Sequence, residues 1–543
     1  MKRCVLLLCV AAVLQDSDAL RQGSTEYEDM SFWLKSGQET LHKILAHQNN
    51  VNRAKNVIIF IGDGMGLSTI TSGRIYVGQL NGQAGEEYQL AFEKFPNTGL
   101  AKTYNVDKQV PDSAGTATAI FSGVKCRYKV IGLDAKAETS KCDKKINEGS
   151  TLTTVADWAQ QSGKDTGFVT TTRVTHATPA ALYAHVNHRD WECDSKIPKD
   201  QKNCTKDIAR QLIEDKPGNQ FKVIMGGGAQ CLGAQVNPVD AEVCSREDGR
   251  NLVEEWQASH PEGIAVTNLQ DLMSIDIGNT SQIFGVFSPD HLPYHAVKTP
   301  EIPSLMNMTT QAIRLLKKNK NGFLLMVESG KIDLAHHGNW AKLALRELYE
   351  LEQAVKAALR LVNLEETLII VTADHSHSFT LNGYPTRGND ILGFANKDNK
   401  KFYETLTYAN GPGFFYHRKN DSANVNETWR KVEEDQTRDE PFYRNFAGIY
   451  LKDETHGGED VGVYAIGPYA HLFRGTFEQN YIAHAVAYAA CFKDWPSHCD
   501  KSYHRYFYSV NAPGNYKVSS AVQNTASFAT FTVFILAMMF TRL

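Results

Sequence analysis

Six short apolar runs recur along the chain: NVIIFIGDG, TGFVTTT, FKVIMGGG, GFLLMVESG, TLIIVTADH and VGVYAIGP. Each is closed by glycine or polar residues and segments of helical length separate them, so they read as buried strands. Continuously apolar strands alternating with helices predict a parallel sheet covered on both faces. Amphipathic stretches such as KLALRELYELEQAVKAALRL, residues 342–361, supply the covering helices, and their leucines and alanines belong to the core. From about 379 to 450 the pattern changes to one rich in Asn, Gly, Pro, Tyr and charge. That stretch reads as an insertion, after which the chain returns to the sheet at Val461. There is no internal repeat. The expected fold class is α/β, one large domain with a mostly parallel central sheet flanked by helices and a smaller inserted subdomain.

The ends read differently. MKRCVLLLCVAAVLQDSDA has a basic start, a short apolar stretch and a small-residue exit, which predicts a secretory signal over 1–19 cleaved near Ala19. At the other end SFATFTVFILAMMF is short of the about 20 apolar residues a membrane span needs, and follows a small, polar spacer. That is the pattern of a removed tail for a glycolipid (GPI) anchor, with attachment among Ser519, Ser520 and Ala521 and the spacer and tail filling 501–543. The catalytic body then spans 20–500, and the destination is the outer face of the cell membrane. Export agrees with the cysteines: Cys126, Cys142, Cys193, Cys204, Cys231, Cys244, Cys491 and Cys499 form an even set of eight outside the signal with no C-x-x-C pair. They predict disulfides rather than a cysteine-zinc site. N-x-S/T triplets begin at Asn203, Asn279, Asn307, Asn420 and Asn426 and are glycan candidates in an exported chain. With 57 basic and 61 acidic residues the formal charge is −4, so nucleic-acid binding is not expected.

In open α/β sheets ligands sit at the carboxyl ends of the strands, and nearly every run here ends in metal-ligating types. After VIIFI comes Gly62-Asp63-Gly64-Met65-Gly66, whose spacing fails the G-x-G-x-x-G dinucleotide loop and whose acid would repel a pyrophosphate. Asp63 reads instead as a metal ligand or an Asx turn. After GFLLMV come Glu328, then Asp333 and His337, four apart and so on one face of a helical turn, with His336 facing elsewhere. After TLIIVT come Asp374, His375 and His377, and before the last run comes His456 among Glu454 and Glu459. Singly each has a bland reading as surface pair or solvated loop. Together, Asp and His without Cys suit zinc in an open catalytic site, and an inventory about twice what one ion needs implies two or more ions. Paired metals are a device of phosphoester hydrolysis.

The run VPDSAGTATAI lacks the G-x-S-x-G elbow of serine hydrolases, and by itself it predicts a small-residue helix capped by Asp112 or Ser113. Read with GDGMG, HATPAALYAH, VESGKIDLAHH, TADHSH and ETHGGEDV, it resembles the motif set of the animal alkaline phosphatases, in order over about residues 50 to 500. The resemblance implies a three-layer sandwich with a crown-like insertion, a homodimer clasped by residues 25–50, and broad hydrolysis of phosphate monoesters at alkaline pH. It makes Ser113 the nucleophile, forming a phosphoserine, and Arg189 the phosphate-binding residue. It assigns Asp63, Asp374 and His375 to one zinc ion, Asp333, His337 and His456 to a second, and Asp63, Thr178 and Glu328 to magnesium. His176 and His377 lie behind these ligands. It also implies Cys142–Cys204 and Cys491–Cys499 bridges, leaving Cys126, Cys193, Cys231 and Cys244 as extra pairs of open connectivity.

Departures from the family pattern are few. Leu334 stands where vertebrate relatives carry His and bacterial ones often Lys, and Ser288 and Ile302 stand where the vertebrate calcium site has acids. A phosphodiesterase or sulfatase of the same superfamily is the nearest alternative, and Ser113 with the Asp63/Thr178/Glu328 set argues against it. A silent cell-surface receptor on the same fold is the other, against which the complete ligand set weighs.

Overall fold

Strand β1, Asn56–Gly62, is buried along its whole length and lies in the middle of a ten-stranded sheet. The structure, a computed structural model, describes residues 28–234, 244–395, 403–419 and 428–492. The other strands of this sheet are β2 (Asn97–Lys102), β3 (Asp165–Arg173), β4 (Val223–Gly227), β5 (Gly263–Val266), β6 (Gln282–Val286), β7 (Phe323–Ser329), β8 (Thr367–Ala373), β14 (Val461–Ile466) and β15 (Gly475–Glu478), in the order β15-β2-β14-β8-β1-β7-β3-β4-β6-β5. All pair in parallel except β14, which runs against both β2 and β8. The apolar runs of the sequence thus form the central strands. Those that lacked a continuous run are peripheral, as in β2, whose alternate residues face solvent.

Register explains where the chemistry collects. Gly62 is level with Ser329 of β7 and Ala373 of β8, and Glu328 is level with Thr170 of β3. Asp63, Glu328 and Asp374 therefore leave the sheet at one edge, the carboxyl end of its most buried strands. Between β9 (Ser376–His377) and β13 (His456–Gly457), which pair with each other, the chain builds a separate three-stranded sheet of β10 (Phe379–Leu381), β11 (Leu406–Asn410) and β12 (Ala447–Ile449). Phe379, Leu406, Tyr408 and Ala447 pack on Ile75, Ala341 and Leu345 of the main body.

Cys142 is bonded to Cys204 and Cys193 to Cys244. Cys491 is also disulfide-bonded, and Cys499 lies outside the described residues. Cys126 and Cys231, counted above among the paired cysteines, are instead free and buried. They occupy separate apolar clusters, Cys126 with Val130, Leu133 and Ala137, and Cys231 beside Cys193 and Cys244, which satisfy each other. Burial pushes both thiols far up in pKa, which leaves them unreactive. Asn203 and Asn279 are exposed, whereas Asn307 lies in the first turn of the helix Leu305–Leu316, where its Oδ1 accepts from the Ser304 amide at 3.0 Å. Asn420, Asn426, the signal and the Ser519, Ser520 and Ala521 region lie outside the described residues. Among the described residues no helix is long and apolar enough to cross a membrane.

Candidate active site

Ser113 is the first residue of the helix Ser113–Ser122, and of the two capping candidates it is Asp112 that caps it. Asp112 is the N-cap, its Oδ1 accepting from the Gly115 amide at 3.3 Å, and Gly123 ends the helix in a left-handed conformation. Alanines and glycine let this helix start in a fully buried place. The N-terminal dipole and free amides then point at whatever Ser113 faces. Its Oγ lies 3.2 Å from His375 Nε2. The other Asp112 oxygen accepts from Arg189 Nη1 at 3.2 Å, and Arg189 Nη2 donates to His176 Nε2 at 3.0 Å. The guanidinium is held between His176 and Asp112, the residue before the serine, and its fork suits clamping two oxygens of one anion. The Asp112–Arg189 pair is a link that sequence reasoning missed, since 77 residues separate the partners.

Three groups of side chains could each hold a metal ion: Asp63, Asp374 and His375; Asp333, His337, His377 and His456; and Asp63, His176 and Glu328. In the first, His375 Nε2 is 3.5 Å from Asp63 Oδ1 and 3.2 Å from Asp374 Oδ2. Asp374 is fixed by the Gly64 amide at 3.0 Å and the Thr116 hydroxyl at 3.1 Å. In the second, Asp333 meets His337 Nε2 at 3.4 Å and His456 Nε2 at 3.3 Å, and the two imidazole nitrogens are 3.2 Å apart. In the third, one oxygen of Glu328 accepts from the Thr170 hydroxyl and, at 3.1 Å, from that of Thr172. Thr178 is fully buried two residues from His176, whose ring lies near this group with Nε2 taken up by Arg189. His336 turns away to Thr69 and Tyr408.

The tautomers are readable because a carbonyl oxygen can only accept. His337 Nδ1 donates to the Glu454 carbonyl (2.5 Å), His456 Nδ1 to that of Pro111 (2.8 Å) and His375 Nδ1 to that of Ser376 (3.2 Å). Each ring therefore offers a bare Nε2 lone pair to the cluster, the arrangement metal-ligating histidines adopt. His377 differs, with Nε2 on Asp333 Oδ1 at 2.7 Å and Nδ1 on Glu454 Oε2 at 2.5 Å. Both its nitrogens donate to carboxylates, which hold its pKa up at about 10 against the opposing effect of burial. A ring charged in this way orients Asp333 instead of competing with it. Glu454 thus supports two of the cluster's residues, His377 through its carboxylate and His337 through its carbonyl. Gly64, at φ +70, makes the packing possible, since a Cβ there would come within 2.4 Å of His377.

The unsatisfied atoms test whether cations fit. Both oxygens of Asp63, Oε1 of Glu328 and Oγ1 of Thr178 are buried without a hydrogen-bond partner. Burial, then the neighbouring Asp374, drives Asp63 far above the usual carboxylate range, and burial lifts Glu328 to about 7. Buried carboxylates facing one another and bare lone pairs are costly without a positive charge among them, and divalent cations fit this donor set.

The chain from 54 to 492 matches the family model described as alkaline phosphatase. It is 48% identical to alkaline phosphatase 4 of Drosophila melanogaster over 88% of this chain and 84% of that one. It is 42% identical to the human tissue-nonspecific isozyme, covering 87% and 90%, and 39% identical to the membrane-bound alkaline phosphatase of Bombyx mori, covering 88% of each. Among solved structures, the alkaline phosphatase of the Antarctic bacterium TAB5 superposes with TM-score 0.56 at 23% identity over 82% of this chain and 99% of that one, and shares the fold. That of Thermus thermophilus does so with TM-score 0.58 at 20% identity, over 83% and 94%. Sequence similarity of this extent, over a body that carries the whole cluster, makes the chain a member of the alkaline phosphatase family.

Proposed function

We propose that this phosphomonoesterase works through a covalent phosphoserine at Ser113 and accepts a broad range of monoesters. The observation that carries the reading is Ser113 Oγ at the start of a buried helix, in contact with His375 and flanked by Arg189. Arg189 grips the phosphoryl oxygens while the serine oxygen attacks phosphorus and the ester oxygen leaves from the opposite side. Water then attacks the same phosphorus, and the serine oxygen departs, releasing inorganic phosphate. No part of this machinery reads the alcohol, so the leaving group matters little. His375 has its Nδ1 on a backbone carbonyl and not on a carboxylate, so it lacks the partner that would make it a strong general base. We assign two zinc ions, one to Asp63, Asp374 and His375 and one to Asp333, His337 and His456, and a magnesium ion to Asp63, Thr178 and Glu328. When bound, these cations would supply electrostatic stabilisation of the attacking, leaving and phosphoryl oxygens. Hydrolysis of p-nitrophenyl phosphate, lost with chelator and regained with zinc and magnesium, tests the reading. Activity that survives exhaustive chelation would sink it.

Leu334 sits half-buried between Asp333 and His337 and can neither donate a hydrogen bond nor carry charge. A histidine there would add one contact to bound phosphate, worth about 1–2 kcal/mol or roughly ten-fold in affinity. Leu334→His is expected to lower both the inhibition constant for inorganic phosphate and the turnover number, because product leaves more slowly. An inhibition constant that does not move in steady-state assays would show that position 334 does not face the phosphate.

The chain is also proposed to be a GPI-anchored homodimer on the outer cell surface. The helix Met30–Ala46 buries none of its residues and exposes Phe32, Trp33, Leu34, Leu41, Ile44 and Leu45, which supports a partner subunit covering it. The Bombyx mori relative is named as membrane-bound. Phosphatidylinositol-specific phospholipase C is expected to release the activity from membranes. Activity that stays in the pellet would mean another kind of attachment.

A further inference from the structure

Described residues of the segment between β9 and β13 line a half-open cavity of about 700 Å³ that shares no lining residue with the catalytic cluster. Tyr403, Trp429, Val432 and Phe446 give it aromatic and apolar walls, and two fully buried polar residues, Glu404 and His417, complete it. The chemistry of those two is one-sided. His417 Nε2 is 2.7 Å from the Arg444 carbonyl oxygen and must donate to it, which leaves Nδ1 as a bare acceptor. That atom is buried and has no partner. Burial pulls His417 down to about 4, so the ring stays neutral. Glu404 accepts from the Asn445 side chain at 3.1 Å and the Phe446 amide at 2.7 Å, while Arg438 Nη1 stands off at 3.9 Å. Burial pushes Glu404 up to about 7, so at alkaline pH its carboxylate is ionised in the cavity wall. Arg430, also in the lining, is turned onto the Tyr416 ring at 4.9 Å and lies 3.6 Å from Asp435.

We propose that this cavity is a second binding site, for an organic ammonium ion with an aromatic or apolar body. The ammonium supplies the donor that His417 Nδ1 lacks and a positive charge for the Glu404 carboxylate, and the rings of Trp429 and Tyr403 favour a cation over their faces. The apolar body fills a space of the size small-molecule sites occupy. An anion meets the carboxylate, and a neutral ring brings it no positive charge, so the order of preference follows from the lining alone.

The test is calorimetric titration of the metal-loaded full chain at alkaline pH with tryptamine, the catalytic site being filled with excess inorganic phosphate. Indole and indole-3-propionate serve as the neutral and anionic probes. Tryptamine is expected to bind one site per chain in the millimolar range or tighter, at least about tenfold better than indole, with no binding of the propionate. Glu404→Gln and Trp429→Leu should each weaken tryptamine by about tenfold and leave hydrolysis of p-nitrophenyl phosphate unchanged. Trp429→Leu carries the test by itself where the buried glutamine compromises folding. The proposal is overturned if tryptamine gives no heat up to about 10 mM, if indole binds equally well, or if Trp429→Leu binds tryptamine like the parent.

Discussion

Ser113→Ala is expected to lower turnover at least about 1000-fold and to abolish phosphoenzyme formation while the protein keeps its metals and its stability. The substitution deletes one oxygen. Asp112 still caps the helix, its carboxylate still holds Arg189, and alanine suits a buried helix of small residues. Within the three metal groups the serine oxygen meets His375, whose ring is also held through Nδ1 by the Ser376 carbonyl, while Asp374 rests on Gly64 and Thr116. Labelled inorganic phosphate trapped at acid pH, with metal content measured on the same samples, separates the outcomes. Equal labelling of parent and mutant would remove Ser113 from the reaction. Loss of metal along with activity would mean that the serine oxygen is a structural support of the site instead.

How far the sequence speaks can be seen at particular residues. Strands with both faces buried, such as β1 and β7, declare themselves as apolar runs, because every position faces a helix layer. β2 and β15 do not, since NTGLAK and GTFE are short and partly exposed, and β5 is a four-residue edge. The direction of β14 is equally silent, because an apolar run reads the same parallel or antiparallel. Asp63, Glu328, Asp333, Asp374 and His456 are legible as a group because each lies at or near the end of an apolar run and register brings strand ends together. The roles of the imidazoles are not. Whether His377 binds a cation or carries a proton depends on Glu454, which is 77 residues away, and the pairing of Cys193 with Cys244 rather than Cys231 depends on packing alone. The lone Nδ1 of His417 has no counterpart in any motif.

The second large effect concerns stability, and it reverses sign with metal. In metal-free protein, burial raises Glu328 from 4.5 to about 7, so the folded state holds that proton more tightly than the unfolded chain does. The linkage then has a definite direction: the penalty is absent below about 4.5, grows as pH rises, and is fully present above about 7. Glu328→Gln removes the ionisable group while preserving its size, and a neutral oxygen can still accept from Thr170 and Thr172. Chelator-treated Glu328→Gln should therefore unfold at a higher temperature than the chelated parent at pH about 8, by the equivalent of about 3 kcal/mol, and at nearly the same temperature at pH about 4.5. With magnesium and zinc restored the order should invert, because the parent then has an anionic ligand with a cation opposite it and the variant has lost it. Thermal unfolding of both proteins, with chelator and with metals, at the two pH values gives the four comparisons. If the variant is the less stable one in chelator at alkaline pH, the hydroxyls of Thr170 and Thr172 already suffice to keep the carboxylate ionised. Glu328 is then a structural acceptor, and the third cation belongs elsewhere.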